Sequence, residues 1–205
     1  MTTALSVAGW DLARLRAQWL SARPFPHLVL DGLLPEDELP ALSTAFAREP
    51  LLLQADEHFC YRGGAQPPEE PLLRALALSL RAPGVLAAVS AIAGREVRGA
   101  DARAYAYPRG CYLLPHSDCR PDEDRVVAFA WYLAQQAPLR GGALELFDCT
   151  LEEGEVPAAR TAVAARRIEP RLNRLVLFGV APAGLHQVCE VTQGERSSLA
   201  GWFTS

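Results

Sequence analysis

The stretch ARAYAYPRGCYLLPHSD, residues 102–118, shows how the second half of this chain is built. Its first part alternates in residue type, which is typical of a half-buried β-strand. A turn signal of Pro, Arg and Gly separates this part from a second short apolar run. The second run ends in His116-Ser117-Asp118. The stretch therefore predicts two consecutive strands, with polar residues at the end of the second.

Short runs of the same kind continue to the C-terminus, separated by Gly, Pro, Asp and Glu. They are RVVAFAWYL, GALELF, TAVAARRIE, RLVLFGV, LHQVCEV and RSSLAGWF. Seven or eight short strands with turn signals at this spacing predict a sandwich, a barrel or a jelly roll. The segment LEEGEVPAAR is predicted to be a mobile loop.

The first half has helical patterns. They are WDLARLRAQWL, PEDELPALSTAFARE and a region over about 68–93 that is broken at residues 82–84. PFPHLVLD indicates one short strand, which its prolines restrict to a strand start or an edge. Helices followed by strands predict a helix-supported antiparallel β domain. We expect one domain over residues 1–205, with 1–95 as helix-rich support and 96–205 as the core.

The composition excludes several classes of protein. Half of the 205 residues are hydrophobic, which is enough for a packed core. The net charge of -4 is spread along the chain, so nucleic acid is not an expected partner. No apolar run is long enough to span a membrane, and the N-terminus does not resemble a signal peptide. Five scattered Cys predict neither structural disulfides nor a thiolate zinc site, which favours the cytoplasm.

The His-x-Asp pair has two interpretations. Residues i and i+2 of a strand point to one face, so His116 and Asp118 could bind one metal ion, or they could begin a surface turn. Among the other histidines, His27 suggests a structural role and His58 lies in an uncertain region. His186 follows an apolar strand about seventy residues later. Two His and one carboxylate form the facial triad of non-haem Fe(II) oxygenases, although His186 also fits an ordinary half-buried histidine.

Arg196 lies ten positions after His186, in the apolar segment ERSSLAGWF. Arginine in such a strand needs a partner or an exposed edge position. An enzyme that uses 2-oxoglutarate must hold the distal carboxylate, and the planar guanidinium binds a carboxylate through two parallel hydrogen bonds. The ordered set of His-x-Asp, a late His and then Arg is more specific than any one of its members.

With these motifs the chain resembles the 2-oxoglutarate/Fe(II) dioxygenases of the prolyl 4-hydroxylase type, and among them the catalytic domains of ribosomal-protein prolyl hydroxylases. The matching segments are PFPHLVLDGLLP, YPRGCYLLPHSD, RVVAFAWYLAQQ, GGALELF, NRLVLFGVAPAGLHQVCEV and ERSSLAGWF. The resemblance implies a double-stranded β-helix, the cupin-like jelly roll, with a helical N-terminal part.

The resemblance also implies a role for each site residue. His116, Asp118 and His186 would bind iron, and Arg196 would hold the C5 carboxylate of 2-oxoglutarate. The other residues expected at the cosubstrate are Tyr107, which lines the pocket, Tyr132, whose hydroxyl assists Arg196, and Ser198 and Trp202. Ser198, Ala200 and Trp202 share the strand face of Arg196, whereas Leu199, Gly201 and Phe203 face the other way.

The implied cofactors are Fe(II), 2-oxoglutarate and O2, with ascorbate as an optional reductant. The implied reaction is hydroxylation of an unactivated C–H, in first place on a prolyl residue of a peptide or protein. Asp118 favours hydroxylation, because related halogenases have a small residue there. Cys111 stands where these relatives have an acid, and they carry a second, degenerate barrel, so the ribosomal substrate is not carried over.

Three alternatives remain open at this point. The enzyme could hydroxylate a free amino acid or a natural-product intermediate instead of a peptide. A cupin-like barrel could also be a non-catalytic binding module. A zinc hydrolase is the third option, but it would give Arg196 and Tyr132 no task.

Overall fold

Eleven strands form one antiparallel sheet in this computed structural model, which describes residues 4–151 and 159–205. The strands are β1 (His27–Asp31), β2 (Leu52–Ala55), β3 (Phe59–Gly63), β4 (Gly99–Pro108), β5 (Tyr112–His116), β6 (Arg125–Gly141), β7 (Leu144–Leu151), β8 (Ala159–Ile168), β9 (Arg174–Gly179), β10 (His186–Val188) and β11 (Val191–Thr204). Their spatial order is β1-β9-β6-β11-β4-β3-β5-β10-β7-β8, and β2 pairs with β3 outside this path.

Four helices precede the strands from β4 onward. They are α1 (Leu12–Ser21), α2 (Leu39–Arg48), α3 (Pro71–Ser79) and α4 (Pro83–Ala93), with a 3-10 turn at Glu36–Glu38. The Asp11 side chain accepts a hydrogen bond from the Arg14 amide at the start of α1. Glu70 caps α3 in the same way, because its carboxylate accepts from the amides of Leu72 and Leu73.

The helices pack on the outer face of β4, β6, β9 and β11 and form the main core with it. Alternation along the strands sends one set of side chains to this core, including Ala102 and Ala104 of β4 and Leu199 and Phe203 of β11. The helices contribute Leu42, Leu73, Leu76 and Ile92, each at most 1% exposed. The side chains on the opposite face of β4, β6, β9 and β11 do not pack against the helices and point away from this main core.

The sheet folds over on itself, so that its two halves enclose a second apolar cluster. This cluster combines Ala128, Ala130 and Tyr132 of β6 with Leu144 and Leu146 of β7. Ile168 of β8, at one end of the strand order, and Val176 and Phe178 of β9, next to the other end, complete it. The space between the halves is where the polar residues of the sequence motifs meet.

Most of the predicted elements are confirmed. The helical patterns become α1, α2, α3 and α4, the eight runs from residue 99 become β4 to β11, and PFPHLVLD contains the edge strand β1. The β2–β3 hairpin was not predicted, so three strands come from the expected helical half. The predicted loop LEEGEVPAAR lies largely outside the described residues, and the single-domain boundaries stay a prediction.

None of the described helices is by itself long and apolar enough to cross a membrane. Only α3 and α4 taken together, with a bend of 52° between them, have the necessary length and hydropathy.

One prediction about the cysteines is wrong. Cys60 of β3 and Cys111 form a disulfide, with their Cα atoms 4.6 Å apart. The sequence separation of 51 residues hid this pairing, which depends on β3 lying beside β5. The other three cysteines, Cys119, Cys149 and Cys189, are free. The disulfide removes one premise of the predicted cytoplasmic location, which stays a prediction.

Candidate active site

His116, Asp118 and His186 lie together at one end of the enclosed space. His116 ends β5 and His186 begins β10, and the two are direct partners in the β5–β10 pair. Asp118 follows two residues after His116 and presents one carboxylate oxygen to each ring. The His116 Nε2–Asp118 Oδ1 distance is 3.6 Å, and the His186 Nε2–Asp118 Oδ2 distance is 3.5 Å. One ligand atom from each of the three residues lies within 4.8 Å of the other two.

Backbone contacts orient both imidazoles. Nδ1 of His116 lies 2.9 Å from the carbonyl oxygen of Leu114, and Nδ1 of His186 lies 3.0 Å from that of Gly184. A carbonyl oxygen only accepts, so Nδ1 is the donor in both rings and Nε2 is the nitrogen left to bind a metal ion. In both rings Nε2 is also the nitrogen that faces Asp118. This is the arrangement that second-shell contacts give to metal-binding histidines.

The protonation states fit a metal site. Burial lowers the pKa of His186 to about 4, because the imidazolium would be cut off from water. Burial alone would raise the pKa of the Asp118 carboxyl, but its interactions with His116, His186 and Trp202 outweigh burial and hold that pKa well below its usual range. At neutral pH the His186 imidazole is neutral and the Asp118 carboxylate is ionised, as divalent metal binding requires.

Arg196 lies further along the same cavity and is only 3% exposed. Its guanidinium carbon lies 4.8 Å from the ring centres of both Tyr107 and Tyr132. Nη2 of Arg196 donates to the Tyr132 hydroxyl at 3.3 Å. Burial by itself would lower the pKa of Arg196, but the two tyrosines outweigh it and the group stays charged.

This buried cation has no anionic partner within residues 4–151 and 159–205. Among the residues that the structure describes, no carboxylate forms a salt bridge with Arg196. Its Nε and the Ser198 hydroxyl are also buried without a hydrogen-bond partner there. Burying an uncompensated guanidinium is costly, so these donors indicate a bound anion. A carboxylate matches the planar donor set of Arg196 and fits the expected cosubstrate.

The side chains that line the cavity form rows across three neighbouring strands, β4, β11 and β6. Arg196, Ser198, Ala200 and Trp202 of β11 are opposite Tyr107, Tyr105, Arg103 and Asp101 of β4, respectively. On the other side, Ala200 is opposite Ala130 and Trp202 is opposite Ala128 of β6. The predicted strand faces are therefore correct, except that Gly201 also contributes to the lining of the cavity. The cavity has a volume of about 320 Å³ and contains the metal ligands, Arg196 and Tyr107 on its walls.

Several residues of the site carried no recognisable sequence signal. Phe178 packs edge-on against His186, with ring centres 4.6 Å apart. Arg125 stacks its guanidinium 3.5 Å above the Trp202 ring at the mouth. Gly142 lies against Arg196, since a Cβ there would come 3.1 Å from Arg196 Cδ. Tyr132, by contrast, was expected at the site; it is almost fully buried beside the cavity and takes part through its contact with Arg196. His27, which the sequence suggested to be structural, lies outside the cluster, and so does His58, for which the sequence made no prediction.

Residues 102–204 match the family model described as the 2OG-Fe(II) oxygenase superfamily. The chain belongs to this superfamily. Its members use Fe(II), 2-oxoglutarate and O2, and the His–Asp–His cluster and unpaired Arg196 fit those groups. The resemblance inferred from the motifs is thereby confirmed, and so are the predicted cofactors.

Two curated relatives match part of the chain. Prolyl 3-hydroxylase OGFOD1 from Mus musculus and from Xenopus laevis are each 37% identical to it over 94 residues, or 44% of this chain. That region is 16% of the mouse protein and 17% of the frog protein. The match thus covers about a sixth of either relative.

Solved structures confirm the fold. A prolyl-4-hydroxylase from Pseudomonas putida superposes with a TM-score of 0.71 at 21% identity, covering 94% of this chain and 98% of its own. A prolyl hydroxylase from Trichoplax adhaerens, solved with a hypoxia inducible factor oxygen degradation domain peptide fragment, gives 0.65 at 16% identity and covers 94% and 90%. A 2OG-Fe(II) oxygenase family oxidoreductase from Burkholderia pseudomallei gives 0.68 at 14% identity and covers 100% and 96%. The predicted double-stranded β-helix is therefore correct.

Proposed function

We propose that this protein is a 2-oxoglutarate-dependent dioxygenase that hydroxylates a prolyl residue in a peptide or protein. The observation that carries the proposal is one cavity holding the His116–Asp118–His186 cluster together with a buried, unpaired Arg196. A metal-binding module or a zinc hydrolase would not require that arginine. The prolyl substrate is supported by the names of the relatives, which are prolyl hydroxylases of two kinds.

The residues divide the binding task between two ends of the cavity. His116 and His186, through Nε2, and the Asp118 carboxylate would hold Fe(II) and leave coordination positions open. Arg196 would bind the C5 carboxylate of 2-oxoglutarate, assisted by the Tyr132 hydroxyl. Fe(II) with 2-oxoglutarate supplies the activation of O2 and the hydroxylation of an unreactive C–H.

The protein itself contributes orientation and exclusion of water. Burial raises the pKa of Tyr107, so its hydroxyl stays protonated beside Arg196. Apolar side chains of Phe178, Leu144 and Val188 line the wall around the metal ligands. A dry wall strengthens the Arg196–carboxylate interaction and protects a reactive centre from side reactions.

The test has two stages. Anaerobic addition of Fe(II) and 2-oxoglutarate should produce the weak visible charge-transfer band expected of such a ternary complex. Proline-containing peptides are then added under O2, and mass spectrometry should find a gain of one oxygen atom on proline, matched by succinate. A visible band without hydroxylation of any peptide would reject the prolyl substrate, and turnover of a free amino acid instead would replace it.

A further inference from the structure

A second cavity adjoins the first at its mouth and has not been given a role so far. Its volume is about 500 Å³, and the two cavities share Tyr105, Arg125 and Trp202. Arg103 and Gln66 line only this outer cavity. Any substrate that reaches the metal from this side must pass these side chains.

Arg103 faces this space because of strand alternation. Asp101, Arg103, Tyr105 and Tyr107 occupy one face of β4, while the alanines between them pack against the helices. Arg103 is opposite Ala200, which is in turn opposite Ala130 of β6. Both neighbours in its row are small, so a ligand group can approach the guanidinium.

The bonding of Arg103 is incomplete. Its Nε is buried without a hydrogen-bond partner, and no carboxylate forms a salt bridge with it, among residues 4–151 and 159–205. The one side-chain hydrogen bond that Arg103 makes within the described part of the chain runs from Nη2 to Gln66 Oε1 at 3.4 Å, which is long for a hydrogen bond. A guanidinium with free donors in a half-enclosed cavity is suited to a carboxylate.

The other charged groups of the outer cavity are already engaged or exposed. Arg125 pairs with Glu123, stacks on Trp202 and donates to the Asp118 carbonyl oxygen at 3.3 Å. Asp101 Oδ1 lies 3.2 Å from the Trp202 backbone amide and accepts its hydrogen bond. Asp124 lies on the exposed rim. Arg103 is therefore the cation of this cavity that is free to bind an anion.

The cosubstrate does not account for Arg103. Ala200, its partner in the register, lies four residues along β11 from Arg196, roughly 14 Å at the usual rise of a strand. Arg196 lines only the inner cavity and Arg103 only the outer one, so a carboxylate held by Arg196 inside the inner cavity does not occupy the space beside Arg103. The unpaired donors of Arg196 and Ser198 are explained by 2-oxoglutarate, whereas those of Arg103 call for a second anion.

We infer that Arg103 binds a carboxylate of the substrate, namely the acidic side chain of a residue near the target proline in an extended peptide. This inference rests on the proposed peptide hydroxylation. It makes Arg103 a specificity-determining residue, separate from the metal ligands and from the residues that bind the cosubstrate.

Binding can be measured apart from turnover. Labelled peptides with one proline carry Asp, Asn or Lys at each flanking position in turn, and fluorescence anisotropy gives their Kd for the protein loaded with Mn(II) and 2-oxoglutarate. At the best position, the wild-type protein should bind the Asp peptide about five- to tenfold more tightly than its Asn twin. This ratio compares two ligands of one protein sample, so partial unfolding of a variant does not change it.

Arg103→Gln should bring the ratio of the two Kd values close to one, and Arg103→Glu should make the Lys peptide the preferred ligand. Arg98→Gln is the matched control, because Arg98 is exposed and pairs with Glu96 away from the cavity; its ratio should equal that of the wild type. Absence of peptide binding, no acidic preference in the wild type, or the same preference in Arg103→Gln would overturn the inference. Failure of the proposed function would give a different result: the peptides would bind but would gain no oxygen atom under O2.

Discussion

His116 and His186 face each other as cross-strand partners, with ring centres 4.2 Å apart and both Nε2 atoms beside the Asp118 carboxylate. About seventy residues separate the two histidines in the sequence, and the pairing of the short strands β5 and β10 brings them together. Asp118 completes the cluster because it lies just beyond the end of β5.

Removing the shared carboxylate should remove metal binding. Asp118→Ala leaves only two imidazoles as ligands and no anionic one, so titration with Mn(II) or Fe(II) should show affinity reduced to background, and succinate formation should stop. Asp148→Ala is the control, since Asp148 is an exposed carboxylate on β7. Normal metal binding by the Asp118 variant would contradict the assigned ligand set.

Arg196→Met should weaken the binding of 2-oxoglutarate by roughly a hundredfold, because truncating one partner of a buried charge pair usually costs a few kcal/mol. Tyr132→Phe removes only the hydroxyl that lies 3.3 Å from Arg196, and it should weaken 2-oxoglutarate binding by about fivefold. Anaerobic titration followed by the visible band of the ternary complex gives both values. An unchanged 2-oxoglutarate affinity in Arg196→Met would place the carboxylate elsewhere.

Gly142→Ala should disturb the cosubstrate site through Arg196. The backbone φ of Gly142 is +68°, and an added Cβ would lie 3.1 Å from Arg196 Cδ. We expect a loss of about 1–2 kcal/mol in unfolding free energy and weaker 2-oxoglutarate binding. Gly110→Ala is the control, since its φ is +85° but nothing lies within 4 Å of the added Cβ. It should lose stability while keeping the affinity for 2-oxoglutarate.

The cysteine pairing predicts a thiol count. Denatured protein without reductant should react with a thiol reagent at three cysteines, and at all five after reduction. Cys60→Ser releases Cys111, so this variant should give four reactive thiols without reductant. Closing a loop of this length typically stabilises the folded state by about 2–4 kcal/mol, and denaturant titration of the variant should show that loss. Five thiols in the unreduced wild type would contradict the disulfide.

His27 should make stability depend on pH. Burial lowers the pKa of this imidazole from the ordinary value of 6.5, and nearby Arg166 lowers it further, although the Phe25 carbonyl opposes the shift. The unfolded chain therefore takes up a proton at a higher pH than the folded protein. His27 stabilises the fold above about pH 6.5, and this stabilisation is lost as the pH falls through the lowered pKa.

Denaturant titrations at a series of pH values between about 4 and 8 measure the unfolding free energy and check whether it falls as the pH falls. His27→Gln should reduce the fall in unfolding free energy below about pH 6.5 without abolishing it, because burial lowers the pKa of His186 as well. The exposed His58 offers a control variant, His58→Gln, which should keep the wild-type profile. An identical profile in both variants would show that His27 does not cause the pH dependence.

The sequence predicted what depends on local pattern. Strand alternation correctly placed Ser198, Ala200 and Trp202 on the cavity face with Arg196, because a side-chain period of two leaves little choice once one face is buried. The scarcity of histidine made His186 easy to select as a third ligand. Tyr107 and Tyr132 came from the family resemblance, since an aromatic residue in a strand by itself indicates only a core position.

Features that depend on distant pairing were missed. The β2–β3 hairpin exposes Leu52 and Leu53, so its edge strand lacks the alternation by which a half-buried strand is recognised. The Cys60–Cys111 disulfide follows from the β3–β5 pair and has no local signal. Arg103 was hidden in an ordinary strand pattern, and its unpaired donors become visible only when its neighbours in space are known.

The Cys60–Cys111 bond has one more consequence, for the covalent connectivity of the molecule. It closes a ring of polypeptide that contains α3, α4 and β4, so two of the supporting helices and one wall of the cavity lie on the same closed loop. The exposed segment at residues 65–67 belongs to this ring. A protease that cuts the chain there would open the ring without separating its fragments, and the strand leading to His116 would stay tethered to both.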